Sequence, residues 1–461
     1  MIVMKFGGTS VGNAEAMKRV AGVISEKLDK SPLVIVSAVS KATDALVRIG
    51  SASDRGDLDE AAQLVDWFID RYGKIAEELE LPGDHSFYRE LEETGMLLMN
   101  LLPQIENSRG EESLKWQDLC LSRGEFLSTR LLTAYMAVSG IDVEWIDTSD
   151  YMVTDSNYGR ALPIKDLCLE RMKNVLSPSV RPGRAVISQG FTGVDADGTV
   201  TTLGRGGSDY SATYIGALLD AEMIEIWTDV DGILTADPSL LPEAKRIRWM
   251  TFEEAAELAY FGAKVLHPAS IIPAIEKGIP VCVMNSLKSG QEGTYILGHM
   301  PDGLQAHVIA KSIAYKEGQS VLSIKSSRML MAYGFLARIF QVFERYQTSV
   351  DLVSTSEVSV SVTIDNQDHL TEIMEELGKF SELEVRHRQA IVCVVGEGLC
   401  MEPGIPAKLF GELQGIRVNM ISQGASSINI SFVVDEDDLP VVISRIHKRF
   451  FEDGFDETFF A

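Results

Sequence analysis

The hydrophobic pattern of the first part of the chain switches between two rhythms. Short, mostly apolar runs at Ile2–Phe6 and at residues 33–39, 143–146, 185–188 and 225–228 read as short strands. Between them, residues 14–28 carry apolar positions at helical spacing. Residues 56–102 are dense in Glu, Leu, Met and Ala, and 114–137 continue in the same way, so both predict helix. Strands separated by helices predict a largely parallel sheet covered on both faces, with ligands at the carboxyl ends of the strands.

The rhythm changes at Gly298-His299-Met300-Pro301-Asp302-Gly303, which reads as a linker. Beyond it a unit repeats at about 70 residues. Gly334-Phe335-Leu336-Ala337 is echoed by Gly404-Ile405-Pro406-Ala407, and Val350-Asp351-Leu352-Val353-Ser354 by Val418-Asn419-Met420-Ile421-Ser422. Strands at Ser359–Ile364 and 428–433 follow, then helices at 370–377 and 439–450, a β-α-β-β-α order. The expected fold class is therefore α/β with a largely parallel sheet, followed by two small α+β domains. The expected boundaries are 1–298, 299–385 and 386–461, with strand exchange or nesting between the last two.

Composition narrows the classes. A length of 461 residues exceeds one typical domain, and no apolar run reaches the roughly 18 residues of a membrane span. A first strand at Ile2 leaves no room for a leader, so the cytoplasm is expected, with a mature organellar form as the alternative. The five cysteines are scattered and odd in number, and the histidines lack ligand spacing. Neither a disulfide framework nor a metal site is expected. A net charge of −25 argues against nucleic acid. It does not argue against anionic substrates, because exposed charges are screened beyond about 8 Å and local cations decide.

Two such cations sit in glycine turns: Met4-Lys5-Phe6-Gly7-Gly8-Thr9-Ser10-Val11, and Leu203-Gly204-Arg205-Gly206-Gly207-Ser208-Asp209. Each turn joins a predicted strand to helix-forming sequence. Glycine lets backbone N–H groups approach a ligand, and a helix N-terminus favours anions. One Gly-Gly pair alone reads as a tight turn. Two charged ones at strand-to-helix junctions read as one site holding a phosphate and a carboxylate together. Neither is a P-loop, a Rossmann fingerprint or a protein-kinase motif, which disfavours those classes.

Lys5-Phe6-Gly7-Gly8-Thr9-Ser10-Val11 resembles the opening signature of the aspartate kinases, within the amino acid kinase family. Ser122-Arg123-Gly124-Glu125, Leu203 to Tyr210, Trp227-Thr228-Asp229-Val230-Asp231-Gly232 and Phe261-Gly262-Ala263-Lys264-Val265-Leu266-His267-Pro268 match in the same order, and the repeats resemble paired ACT domains. The similarity spans nearly the whole chain. It implies phosphorylation of the β-carboxylate of L-aspartate by ATP, giving 4-phospho-L-aspartate on the route to lysine, threonine and methionine. Mg²⁺ would be carried by the nucleotide.

That chemistry needs no general base, because a carboxylate with a pKa of about 3.9 is already ionised. It needs charge control and positioning. The resemblance implies that Lys5 meets the transferring phosphoryl group while the Gly7 and Gly8 amides hold its oxygens. Asp209 would orient Lys5 or help place Mg²⁺. Arg205 offers a fork for the α-carboxylate and Glu125 an acceptor for the α-ammonium, with Thr43, Gly206, Gly207 and Ser208 completing the substrate contacts. Taken singly, Lys5 also reads as an edge-strand charge, Asp209 as a helix N-cap, Glu125 as a solvated helix residue and Thr43 as a cap. Thr228, Asp229, Lys264 and Val265 match the nucleotide side. Leu234 and Ser239 stand where relatives commonly carry an aromatic and an arginine, which predicts weaker nucleotide contact.

The stretch from Met329 to Ala337 resembles the effector loop of lysine-inhibited members. Implied contacts are Met329, Ala332, Phe335, Leu336, Ser349, Val350, Asp351, Ser356 and Glu357, with Asp351 or Glu357 receiving the ε-ammonium. Lysine is favoured over threonine, and a homodimer or homotetramer through the ACT domains is expected. With nothing after Ala461, a fused homoserine dehydrogenase is not expected. Two other readings stand beside this one. They are a same-fold kinase for another small acid, and a silent amino-acid sensor, which would have been free to lose Lys5 or Asp209.

Overall fold

The computed structural model describes residues 1–262, 268–300, 310–326, 333–452 and 458–461. The chain forms two compact units, Met1–Gly232 with Val265–His299, and Ile233–Lys264 with Met300–Ala461. The stretch Ile233–Lys264 thus groups with the C-terminal part, not with the N-terminal domain expected to end at 298.

In the first unit, β1 (Ile2–Phe6), β2 (Pro32–Val36), β3 (Val143–Trp145), β4 (Ala185–Gln189), β5 (Thr192–Val194), β6 (Val200–Thr202), β7 (Met223–Thr228), β8 (Val281–Asn285) and β9 (Thr294–Leu297) alternate with helices. Within this unit the strands of the main sheet run β3–β4–β2–β1–β7–β8–β9. Its pairs are parallel except the last, and β5 and β6 form a separate hairpin. β2 reads as a continuous apolar run, and β1 as one apart from Lys5, because both sheet faces are covered. The helices are α1 (Ala14–Ser25), α2 (Ala42–Asp54), α3 (Leu58–Glu78), α4 (Ser86–Asn107), α5 (Glu111–Val138), α6 (Lys165–Val175) and α7 (Gly207–Leu218). Side-chain caps start three of them: Asn13 accepts from the Ala16 N–H, Asp57 from the Glu60 N–H and His85 Nδ1 from the Phe87 N–H.

The strand expected over 33–39 stops at Val36, where the Ser37 N–H donates to Phe6 O at 3.0 Å and the chain leaves the sheet. It then enters α2, which the periodicity did not predict. Lys41 precedes α2 in the left-handed region (φ 68°), a conformation disfavoured for a residue with a Cβ.

The second unit holds α8 (Phe252–Tyr260) and a six-stranded antiparallel sheet. Its strands are β10 (Ser312–Lys325), β11 (Val353–Thr355), β12 (Ser359–Ile364), β13 (Glu382–Val395), β14 (Val418–Gln423) and β15 (Asn429–Asp435), in the order β11–β12–β10–β13–β15–β14. Helices α9 (Phe335–Arg345), α10 (Leu370–Gly378), α11 (Ile405–Gly411) and α12 (Leu439–His447) complete the repeats. The first half of β10 pairs with the second half of β13, and the reverse. The second half of β10 also pairs with β12, and the second half of β13 with β15. Each long strand therefore lends half its length to each repeat. The boundary expected at 385/386 falls inside β13, because the two repeats share one sheet rather than standing apart.

Candidate functional site

At the carboxyl ends of β1 and β2, a cavity of about 370 Å³ opens among Lys5, Gly8, residues 37–41, Thr43, Asp44, Leu121, Glu125, Phe191 and residues 204–209. The two glycine turns, remote in sequence, meet in this space. Lys5 lies on β1, the strand between β2 and β7, so it is a central-strand lysine and not an edge charge. Its Nζ sits 2.5 Å from Asp209 Oδ1, an ion pair lacking hydrogen-bond alignment at that oxygen. Asp209 is in the first turn of α7, whose N-cap is Gly206, so the aspartate is not the cap. It faces Lys5 instead.

Gly8 brings the first turn against β2. A Cβ there would lie 2.7 Å from Ala38 O, so only glycine permits this approach. The turn differs from expectation at Gly7, whose N–H donates to Trp227 O at 3.3 Å and is not free for a phosphate oxygen. The Gly8 carbonyl accepts from the Ser40 N–H at 3.1 Å. Thr43 is exposed inside the first turn of α2, while Lys41 occupies the N-cap.

Glu125 is 3% exposed, which removes the reading of a solvated helix residue. Oε2 accepts from the N–H groups of Gly190 and Phe191, both at 2.6 Å, and Oε1 accepts from Ser208 Oγ at 2.5 Å. Burial raises the Glu125 carboxyl above its ordinary range, against the opposing pull of these three donors and Lys5. Gly207 is buried beneath the second turn, whereas Arg205 at its tip is exposed and has no ion-pair partner among the described residues. The cavity thus presents the Lys5–Asp209 pair, the exposed Arg205 and a Glu125 carboxylate that already accepts from three donors, with Lys41 and Asp44 also in its lining.

The remaining expected residues that the structure describes are not among those lining this cavity. Thr228 ends β7 and its Oγ1 donates to Asp229 Oδ1 at 3.2 Å. Leu234 and Ser239 belong to the second unit. Ser239 is held locally, its N–H and hydroxyl donating to Asp237 Oδ1 at 2.8 and 2.6 Å. Lys264, Val265, Met329 and Ala332 lie outside the described residues. Phe335 opens α9, while Leu336, Ser349, Ser356 and Glu357 are exposed and Val350 is half-buried. Asp351 departs from the expectation of an open acceptor. Lys316 Nζ is 2.8 Å from its Oδ2 and the Tyr260 hydroxyl donates to its Oδ1 at 3.1 Å, so its carboxylate is already paired inside the unit.

The sequence reading missed several parts of the site, residues 37–41, Asp44 and Gly204 of the lining among them. Leu121 and Phe191 line the cavity, and the Gly190 and Phe191 amides bind Glu125. No local pattern marks those partners. Asp118, about two helical turns before Glu125 on α5, could have been noticed from that spacing alone. Among the described residues, no three His, Cys, Asp or Glu side chains gather as a metal-ligand group, and no helix is long and apolar enough to cross a membrane.

The chain is similar to known proteins over nearly its whole length. The model of the amino acid kinase family matches residues 1–285, and an ACT domain model matches 392–450. The chain is 37% identical to aspartokinase 1, chloroplastic, of Arabidopsis thaliana, over 98% of this chain and 80% of that protein. It is 35% identical to the lysine-sensitive aspartokinase 3 of Escherichia coli (strain K12), over 98% and 99%. The crystal structure of E. coli aspartokinase III in complex with aspartate and ADP (R-state) superposes with a TM-score of 0.81 at 34% identity, covering 98% of this chain and 100% of that one.

Proposed function

The chain belongs to the amino acid kinase family and, within it, to the aspartokinases; on that footing we propose that it transfers the γ-phosphoryl group of Mg-ATP to the β-carboxylate of L-aspartate, under feedback inhibition by lysine. The observation that carries this reading is the meeting of Lys5, Asp209, Glu125 and Arg205 around one cavity. The product would be 4-phospho-L-aspartate, at the head of the route to lysine, threonine and methionine.

In the reaction a β-carboxylate oxygen forms the new P–O bond as the bond to the β,γ-bridging oxygen breaks, leaving ADP. No proton need be removed, because the nucleophile is ionised. The difficulty is bringing two anions together. We assign Lys5 to the phosphoryl oxygens, with Asp209 fixing where its ammonium points. Gly8 supplies the close backbone approach, and Gly7 does not contribute its amide. Arg205 takes the α-carboxylate of aspartate, with Thr43 beside it. Glu125 keeps an acceptor direction at Oε1, since a carboxylate oxygen carries two lone pairs, and we assign the α-ammonium to it. Thr228 and Asp229 are assigned to the nucleoside.

Arg205→Lys is expected to raise the KM for aspartate by about tenfold while moving the KM for ATP little, because a point charge replaces a planar fork. Steady-state kinetics in an aspartyl-hydroxamate assay separates the two. A change confined to ATP would remove Arg205 from the acceptor site.

For the effector we assign lysine to the first repeat, between paired copies of this sheet in a homodimer or homotetramer. The E. coli relative is named for its lysine sensitivity, which supports the choice. Of the two candidate carboxylates, Asp351 is held by Lys316 and Tyr260, so exposed Glu357 is the better acceptor for the ε-ammonium. Lysine at millimolar concentration or below should inhibit. Glu357→Gln should raise the inhibitory concentration several-fold by removing a charged partner. Calorimetry showing no lysine binding, or lysine competing with aspartate at Arg205, would overturn the assignment. We place the enzyme in the cytoplasm, with a mature organellar form as the alternative; the Arabidopsis relative is named as chloroplastic.

A further inference from the structure

The backbone that carries Arg205 is gripped at both ends by carboxylates from a single helix. Glu125 of α5 holds the outgoing end through Ser208 Oγ at 2.5 Å. Asp118, earlier on the same helix face and 1% exposed, holds the incoming end. Its Oδ2 accepts from the N–H groups of Thr202 and Gly159, both at 2.9 Å, and its Oδ1 accepts from Thr202 Oγ1 at 2.6 Å. Thr202 closes β6, and the turn bearing Arg205 starts at the next residue.

The Gly159 turn matters because it lies under the Arg205 turn. The Ala161 N–H donates to Thr202 O at 2.9 Å. A Cβ on Gly204 would sit 3.1 Å from Gly159 O, and Gly204 and Gly206 are both left-handed (φ 77°). The two turns are stacked, and Asp118 is the side chain that bonds both. Arg205 itself has no ion-pair partner among the described residues, so its placement comes from its backbone. Asp118 takes no part in the cavity lining. A carboxylate buried this deeply is costly unless it is fully bonded, and all its bonds go to these two turns. Burial raises its carboxyl, with the three donors opposing.

We infer that Asp118 is a positioning residue for the acceptor amino acid, acting with Glu125 as a two-point clamp that aims Arg205 into the cavity. The inference rests on the assignment of Arg205 to aspartate. Asp118→Ala frees both turns and lets the guanidinium wander. Asp118→Asn keeps an oxygen for the two N–H groups and turns an amide towards Thr202 Oγ1, which can accept from it.

The test is steady-state kinetics of the full chain, with thermal melts to establish folding. Asp118→Ala should raise the KM for aspartate by about tenfold or more, since small misplacements of binding groups are expensive, and leave the KM for ATP within about twofold. Asp118→Asn should recover most of the loss. In an Arg205→Ala background, Asp118→Ala should add little, because it acts through that arginine. Should Asp118→Ala not fold, Thr202→Val, which removes one of the three bonds, should still raise the KM for aspartate several-fold. Folded variants with parental aspartate kinetics overturn the inference, as does an undiminished Asp118→Ala effect without Arg205. Failure of the underlying assignment shows separately, as an unchanged KM for aspartate in Arg205→Ala alone.

Discussion

Replacing Lys5 with alanine is expected to lower kcat by about 10²–10³-fold, the size of effect seen when one preorganised charge-stabilising group is lost. The lysine leaves a central strand where β1 is flanked on both sides, so its backbone is fixed by the sheet. Its ammonium is then aimed by Asp209 at 2.5 Å. A cation held this way costs no reorganisation when negative charge moves across the transferring group. Free water or a flexible lysine would have to reorient during the step. The pair is mostly buried, at 11% and 18% side-chain exposure, so the change also leaves Asp209 without its counter-charge, and a thermal melt beside the kinetics separates folding from chemistry. Asp209→Asn should reduce kcat less, since it removes the guide and leaves the cation. The measurement is kcat at saturating aspartate and ATP. Near-parental turnover in Lys5→Ala would remove Lys5 from the chemistry.

The second large effect is expected at Glu125. Glu125→Ala strands the Gly190 and Phe191 N–H groups, which belong to a fixed backbone and cannot turn to water. Each such buried donor costs about 1–3 kcal/mol. The melting temperature should fall by several degrees, and the KM for aspartate should rise, because Ser208 loses its anchor at the end of the Arg205 turn. Glu125→Gln separates charge from shape. Burial raises the Glu125 carboxyl above 4.5. A group whose folded pKa is raised contributes most stability below its unfolded value and loses that contribution as pH rises through the folded one. Glutamine does not titrate. The stability of Glu125→Gln relative to the parent should therefore improve as pH rises from about 5, then level off. Denaturant titrations across this range measure it. A difference that does not vary with pH would mean that Glu125 titrates alike in the folded and unfolded chains.

Paired polar networks in the two repeats show what a repeat can and cannot reveal. Val350-Asp351 and Val418-Asn419 were recognisable as equivalent from the sequence. In the structure, Lys316 bridges Asp351 and Asp365, at 2.8 and 2.7 Å. In the second repeat, Arg386 donates to Asn419 Oδ1 at 3.0 Å, and Asn419 donates to Asp435 Oδ1 at 3.1 Å. The echo in sequence thus marked one position of a polar cluster present twice, but it gave no hint that Asp351 was already occupied. The Tyr260 hydroxyl is a second side-chain partner of Asp351, from a helix outside the repeat.

The sequence by itself determined the alternation of strands and helices, the doubling of the C-terminal unit, and the two glycine turns with Lys5, Arg205 and Asp209. These are written in short windows. Apolar runs, turn glycines and strand-to-helix junctions depend on neighbours in the chain, and local physics suffices to read them. Tertiary structure alone decided which polar atoms were taken. Glu125 looked like a free acceptor on a helix, and its oxygens proved to be held by Gly190, Phe191 and Ser208. Gly7 looked like a phosphate-binding amide and is bonded to Trp227. Residues 233–264 read as part of the catalytic domain, and the family model covers them, yet by contacts they group with the C-terminal unit, where Ser312 Oγ donates to Leu234 O and Lys311 pairs with buried Glu254. The physical reason is common to all three. Periodicity reports which face of an element is buried, but a hydrogen bond is satisfied by whatever the fold places opposite, and that partner lies anywhere in the chain.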